Sequence, residues 1–197
     1  MKTKIFYLFI LLFAFTFTAC EKRDLPPDSE GPKLVTLDAT LDGKAVHLAA
    51  GNISDFAGSE TNYYSPESIW IFSTTLFDSS GTGQGSFRFS INNYRNGKSN
   101  LHDDIDQTIK PGFLAYEYNS KPLPGMVCIT WQDTQQDYYS TFYYSQPGSK
   151  FEITAVETIM KDGIKYRKAN ITFNCMLGVM GDIHEFKGTA VMLFLAG

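Results

Sequence analysis

The run from Ile164 to Leu177, IKYRKANITFNCML, constrains the fold more than any other stretch. Ile171, Phe173, Cys175 and Leu177 fall on one side of a two-residue period, and Thr172, Asn174 and Met176 fall on the other. Successive side chains of a strand point to opposite faces, so this pattern predicts a strand with one face on a core. Four more strand candidates surround it: MVCITW, DYYSTFYYS, KFEITAVETIM and HEFKGTAVMLFLAG. The links between them are short and polar, and Asp162-Gly163 is a tight-turn signal. Chains of this kind bury one face of each strand in antiparallel order.

The preceding segment continues the pattern. LVTLDATLDGKAVHLAA predicts a hairpin turning at Asp42-Gly43. SIWIFSTTLFD predicts a strand with Ile69, Ile71 and Phe72 buried, and SFRFSINNY one with Phe87, Phe89 and Ile91 on its inner face. GNISDFAGSETNYYSPES reads as a long loop and RNGKSNLHDDIDQ as a polar one. TIKPGFLAYEYN reads as an edge or irregular strand, because Pro111 cannot donate to a ladder. No segment carries a sustained helical period. The expectation is an all-β, antiparallel β-sandwich of about ten strands, with a lipocalin-like up-and-down barrel as the alternative.

The first residues follow different physics. Lys2 and Lys4 precede 15 residues, Ile5 to Ala19, that are apolar apart from Thr16 and Thr18. A membrane span needs roughly 20 apolar residues, so this run is short for one. Ala19 leads directly into Cys20, and Glu21, Lys22, Arg23 and Asp24 follow at once. Phe17-Thr18-Ala19-Cys20 resembles the signal-peptide cleavage box of bacterial lipoproteins, with Phe17 where Leu is usual. The resemblance implies cleavage before Cys20 and acylation of that cysteine. Glu21 in second place implies the outer membrane, with the periplasmic and surface faces both open. The segments LDGKAVHLAAGN and ITFNCMLGVMGDIHEFKGTAVMLF also resemble, at the level of pattern, small β-rich lipoproteins of Gram-negative bacteria. The expected division is a signal peptide at 1–19, a lipidated flexible tether at 20–33 and one all-β domain at 34–197. EKRDLPPDSEGPK, charged and Pro-rich, suits a tether because it cannot build a core.

The chain from Cys20 onward has 178 residues with 15 basic and 21 acidic side chains. That mild acidity and the scatter of Lys and Arg speak against nucleic acid as a partner. With Cys20 committed to lipid, Cys128 and Cys175 remain. A pair in an oxidising compartment can bridge, so Cys128 and Cys175 read either as two buried free thiols or as a possible disulfide.

Recognisable catalytic patterns are missing. GTGQG, from Gly81 to Gly85, joins two strands and opens no helix, so it is a flexible turn and not a phosphate loop. Asn100, Asp103, Asp104 and Asp106 offer oxygens at a spacing that departs from known calcium loops, and His102 beside them reads as a surface residue. His184-Glu185 begins a strand, which cannot place two helical metal ligands on one face. No enzyme, cofactor or metal is expected.

The remaining candidate is aromatic. Tyr63 and Tyr64 lie in the long loop, and Trp131, Tyr138, Tyr139, Tyr143 and Tyr144 surround a polar turn. Adjacent strand residues point to opposite faces, so one of Tyr138 and Tyr139 is expected to face solvent. Exposed aromatic rings beside Gln and Asp suit sugar rings, and they suit protein partners as well. The expected function is a lipid-anchored envelope module that binds a glycan or an envelope protein. The alternatives are a structural envelope component without a small ligand and a lipocalin-like carrier of an apolar one.

If Cys20 is the anchor, Cys20→Ser abolishes metabolic labelling with a fatty-acid analogue and leaves the leader uncleaved. Equal labelling and equal processing of the two proteins would remove the anchor from the picture.

Overall fold

Alternation along β10 (Ile164–Val179) puts Ile171, Phe173, Cys175 and Leu177 in the core, as the sequence pattern requires. The computed structural model describes residues 33–51, 60–64, 69–78, 83–94, 101–118 and 125–196; side chains at 60–69, 93–94 and 101–104 are outside that description. The leader, Cys20 and the tether up to residue 32 therefore lie outside the described residues.

Eleven strands form one sheet. They are β1 (Val35–Leu41), β2 (Lys44–Ala50), β3 (Glu60–Tyr64), β4 (Ile69–Phe77), β5 (Ser86–Tyr94), β6 (Gly112–Tyr116), β7 (Met126–Gln132), β8 (Tyr138–Ser140), β9 (Lys150–Lys161), β10 and β11 (Asp182–Leu195). The order across the sheet is β2-β1-β11-β10-β9-β6-β7-β5-β4-β3, and β8 pairs with both β10 and β7. Every pairing is antiparallel except the short one between β6 and β7. The expectation of an all-β fold of about ten strands holds.

The sheet folds over on itself at β6 and β8. Phe87 on β5 then stacks on Phe186 of β11 at 4.8 Å, and Phe89 meets Phe173 of β10 edge-on at 5.4 Å. These strands are distant in sheet order, so the ring contacts define two facing layers. Thr74 of β4 reaches across to donate to the Leu193 carbonyl of β11. The space between the layers is filled by Phe72, Phe87, Phe89, Phe151, Phe186 and Phe194, all fully buried. That filling suits a sandwich-like core and not the open apolar cavity of a lipocalin.

Several local expectations change. Helix α1 (Leu101–Thr108) replaces part of the polar loop at 95–107 and buries Ile105, Thr108 and Ile109, a one-sided stripe. Arg167 of β10 donates to the Ile109 carbonyl at 3.2 Å, beyond the helix C-terminus, where a cation is favoured. Residues 60–64 form edge strand β3 and not a loop. β6 begins after Pro111 and lies between β9 and β7, so it is no edge. DYYSTFYYS breaks after Ser140, whose hydroxyl accepts from the Phe142 N–H and starts a 3-10 turn at Thr141–Tyr143. On β4, Phe72, Thr74 and Leu76 face the core, which leaves Ile71 on the outer side.

Gly188 marks the closest approach between neighbouring strands. A Cβ there would overlap the Asp38 carbonyl oxygen and the Ala39 backbone of β1. Backbone atoms in a ladder cannot step aside, so Gly188→Ala is expected to lower unfolding free energy by about 1–3 kcal/mol. Urea denaturation measures it; an unchanged midpoint would show that β1 yields.

Candidate functional site

The outer face of β4, β5, β7 and β8 is built by register. Phe77, Ser86, Gln132 and Tyr138 form one cross-strand row, and Thr75, Arg88, Thr130 and Ser140 form the next. A third row carries Ser73, Ser90 and Cys128. Phe77 and Tyr138 are 45% and 46% exposed and stand at either end of the first row. A cleft of about 490 Å³ opens beside Phe77, between the β4–β5 link and the β7–β8 turn, and Tyr138 lines the adjoining recess that Phe77 and Gln132 share with it. Asp78, Gln132, Asp133 and Gln136 supply the cleft's polar wall. Gly85 lets the two segments meet, since a Cβ there would strike the Gln132 carbonyl.

Local hydrogen bonds hold these groups in place. Asp133 accepts from the N–H groups of Gln135 at 2.8 Å and Asp137 at 2.9 Å, an Asx-type turn. Gln132 donates to the Gln136 side chain at 3.0 Å, and Asp78 accepts from the Gln84 N–H at 2.8 Å. Tyr138 donates to Thr130 at 3.3 Å, which sets its ring along the sheet. The trough continues past Arg88, which donates to Ser73 at 2.8 Å, to a smaller recess at Asn92, Glu117 and Cys128. Glu117 is only 6% exposed. Burial pushes its carboxyl above the usual carboxylate range, against the opposing hydrogen bond from Asn92 at 3.1 Å.

Cys128 and Cys175 are free thiols, the reading set against a possible disulfide. Cys128 shares the outer face with Ser90, whereas Cys175 sits in the core. Period-two geometry sends the two side chains to opposite faces of the sheet, which places a bond out of reach. Burial pushes both thiols up; near Cys128 the hydrogen bonds with Ser140 and Thr141 oppose it in part. Thiols held protonated are poor nucleophiles.

Trp131 and Tyr139, expected beside Tyr138, take the inner face. Trp131 stacks on Tyr139 at 4.8 Å and on Phe87 at 6.1 Å, and its indole N–H donates to the Gln84 carbonyl at 3.0 Å. Tyr139 is 7% exposed and donates to Asp182 at 3.2 Å. Tyr143 is exposed, and Tyr144 packs its Cβ against Gly178 of β10. The backbones of Tyr63 and Tyr64 pair with Trp70 and Ile69 on β4, and their side chains lie outside the described residues. So do the side chains of His102, Asp103 and Asp104, and all of Asn100, Gly81 and Thr82.

His184 completes the inner cluster. Both Trp131 and Tyr139 meet its ring edge-on, at 5.3 and 4.8 Å. Its Nδ1 bonds Asp42 at 2.6 Å, and its Nε2 lies 3.4 Å from Asp182. Asp42 is the left-handed first residue of the β1–β2 turn and also accepts from the Glu185 N–H at 2.8 Å. Three hairpin ends are thereby clasped together, which is a structural task. Among the described residues, no group of three or more His, Cys, Asp and Glu is arranged to hold a metal ion.

Comparison with protein-family models, with curated proteins and with solved structures finds no match. The outer trough was half visible in sequence. Tyr138 stands out in the sequence by its polar neighbours, whereas Phe77 reads as an ordinary strand residue. Its alternation against Phe72 and Leu76 was the available signal.

Burial acts to raise the Asp42 carboxyl pKa, but hydrogen bonds from His184 and the Glu185 N–H, with the charges of His184 and Lys44, outweigh it and hold the carboxyl below its ordinary value. A carboxylate depressed on folding stabilises above its unfolded pKa, and that contribution is lost as pH falls through the folded one. Stability measured in urea should therefore decline on the acid side of the ordinary Asp range, and Asp42→Asn, which keeps the turn conformation, should flatten that decline. Parallel pH profiles of the two proteins would exclude the clasp as the cause.

Proposed function

We propose that this chain is a lipid-anchored cell-envelope binding module whose ligand is a glycan lying along the outer trough. The observation that carries the reading is the pair Phe77 and Tyr138, each almost half exposed, at the ends of a row that also holds Gln132. A flat ring offers an apolar sugar face its partner, while amides donate to and accept from hydroxyls and carboxylates accept from them. Gln136, Asp133 and Asp78 stand at the mouth of the same cleft. Hydrogen bonds to the local backbone preorganise Asp133 and Asp78, which lowers the ordering cost of binding.

The anchor belongs to the same proposal. Acyl chains on Cys20 would hold the domain at the outer membrane, at roughly 0.8 kcal/mol per buried methylene, and residues 20–33 would give it reach. Such a module samples chains near its own membrane, where tethering raises the effective concentration of the ligand.

The domain from Pro32 to Gly197 contains the whole described core and serves as the soluble reagent. A glycan array followed by titration calorimetry is expected to identify an extended saccharide. Phe77→Ala and Tyr138→Ala should each weaken its binding by about tenfold, the scale of one aromatic contact. Trp131→Phe, on the inner face, should leave affinity nearly unchanged. No glycan bound, or peptide binding indifferent to Phe77 and Tyr138, would overturn the reading.

A further inference from the structure

The trough does not end at Tyr138. Arg88, Thr130 and Tyr138 line the recess beside Phe77 and also a second recess of about 230 Å³ farther along the sheet. Register sets the span. On β4 Phe77 and Ile71 are six residues apart, as are Ser86 and Asn92 on β5, which is roughly 20 Å of strand. One saccharide chain can therefore rest on Phe77 and Tyr138 and still reach the second recess.

Glu117 is the group there that packing does not explain. It lies just past β6, is 6% exposed and lines the recess. Asn92, itself buried, donates to its Oε2 at 3.1 Å. Among the described residues its Oε1 has no hydrogen-bond partner, and no cation pairs with the carboxyl. Burying a carboxyl without a cation is costly, and such groups concentrate where a ligand or a reaction uses them.

The surroundings select the occupant. A carboxyl keeps an acceptor lone pair in either protonation state, so Oε1 calls for a donor. An anionic group would meet the carboxyl, and an ammonium would meet Arg88, whose guanidinium lines the same recess and stays charged. A neutral donor remains. The recess is far larger than a lone hydroxyl needs, which is about the 30 Å³ of a water molecule. Ile71 and the thiol of Cys128, held protonated by burial, give it an apolar wall. The Thr130 hydroxyl accepts from Tyr138 and keeps its own proton to donate. A neutral N–H, a carbonyl and a methyl in one small group make an acetamide.

We infer that this recess takes the acetamido group of an N-acetylated sugar, with Glu117 accepting from its N–H, Thr130 donating to its carbonyl, and Ile71 and Cys128 packing on its methyl. The inference rests on the glycan reading of the same trough and narrows it to chains that contain N-acetylhexosamine.

The test compares three β-1,4-linked trimers that differ only at C2: those of N-acetylglucosamine, glucose and glucosamine. Each is titrated by calorimetry into the 32–197 domain. The N-acetylglucosamine trimer is expected to bind at least about tenfold more tightly than either of the others, since a site built to hydrogen-bond a group rejects the analogue that lacks it. Glu117→Gln keeps the shape, but its amide oxygen accepts from Asn92 and its NH₂ then faces the ligand N–H. That variant should weaken the acetamido trimer by about tenfold and the glucose trimer by less than about twofold. Phe77→Ala should weaken both alike. A urea melt checks that each variant is folded, and the comparison of trimers on the unaltered domain needs no variant. Equal affinity for the acetamido and glucose trimers, tightest binding of the glucosamine trimer, or an acetamido preference untouched by Glu117→Gln overturns the inference. So does an array whose bound saccharides all lack an N-acetyl group, and in each of these cases the glycan reading stands. An array with no bound saccharide removes both.

Discussion

The rest of the structure depends on the contact between Phe87 and Phe186, where one continuous sheet meets itself. A single sheet can bury one face only by folding over or by acquiring helices. Among the described residues there is one short α-helix, so the sheet supplies its own cover. Phe173 touches both Phe186 and Phe89, which makes the four rings a bridge between β10–β11 and β5. A buried aromatic contributes on the order of 150–250 Å² of burial at roughly 25 cal/mol per Å², so this bridge outweighs any surface ion pair. Folding-over also forces the sheet to turn at β6 and β8. The short β8 is the consequence, as it must pair with β10 at Gly178 and with β7 at Thr130 to Gln132.

The site follows from the same fold-over. Once the inner face of β5 and β7 is committed to the core, the residues between become outer face without further choice. Ser86, Arg88, Thr130 and Gln132 are polar for that reason, and their register makes rows that run across strands. Trp131 and Tyr138 are close in sequence and yet serve opposite faces. The inner ring is used to clasp hairpin ends through Tyr139 and His184, and the outer ring is left to solvent. The stacked ring and the exposed ring thus come from one hairpin and cannot exchange places without a register slip.

Strand content and core faces were legible because alternation is a local signal. Ile171 to Leu177 and Phe87 to Ile91 announce their inner faces wherever they pack. Helix α1 was not legible: its stripe of Ile105, Thr108 and Ile109 spans about one turn inside an acidic segment. Ile71 misled for a related reason, since an almost wholly apolar strand has no alternation to read. Whether Cys128 and Cys175 could pair depended on geometry that no spacing encodes, namely which face each strand turns inward. In the candidate site, the missing member was Phe77, whose exposure comes from strand β4 ending at the outer rim beside Ser86.

Antiparallel strands joined by short turns bring every connection to one of two ends, so a domain of this kind has poles whether or not it uses them. Here the turns at one pole are rich in Asp, because Asp tolerates the left-handed backbone and accepts from nearby N–H groups; Asp42 and Asp133 do so directly. The acidic pole is in that sense a by-product of turn chemistry. The cations Lys165, Arg167 and Lys168 at the other end lie within β10 and not in its turn. Two of them converge on Asp106 of α1, which lets a strand carry adjacent positive charge without net repulsion inside the fold.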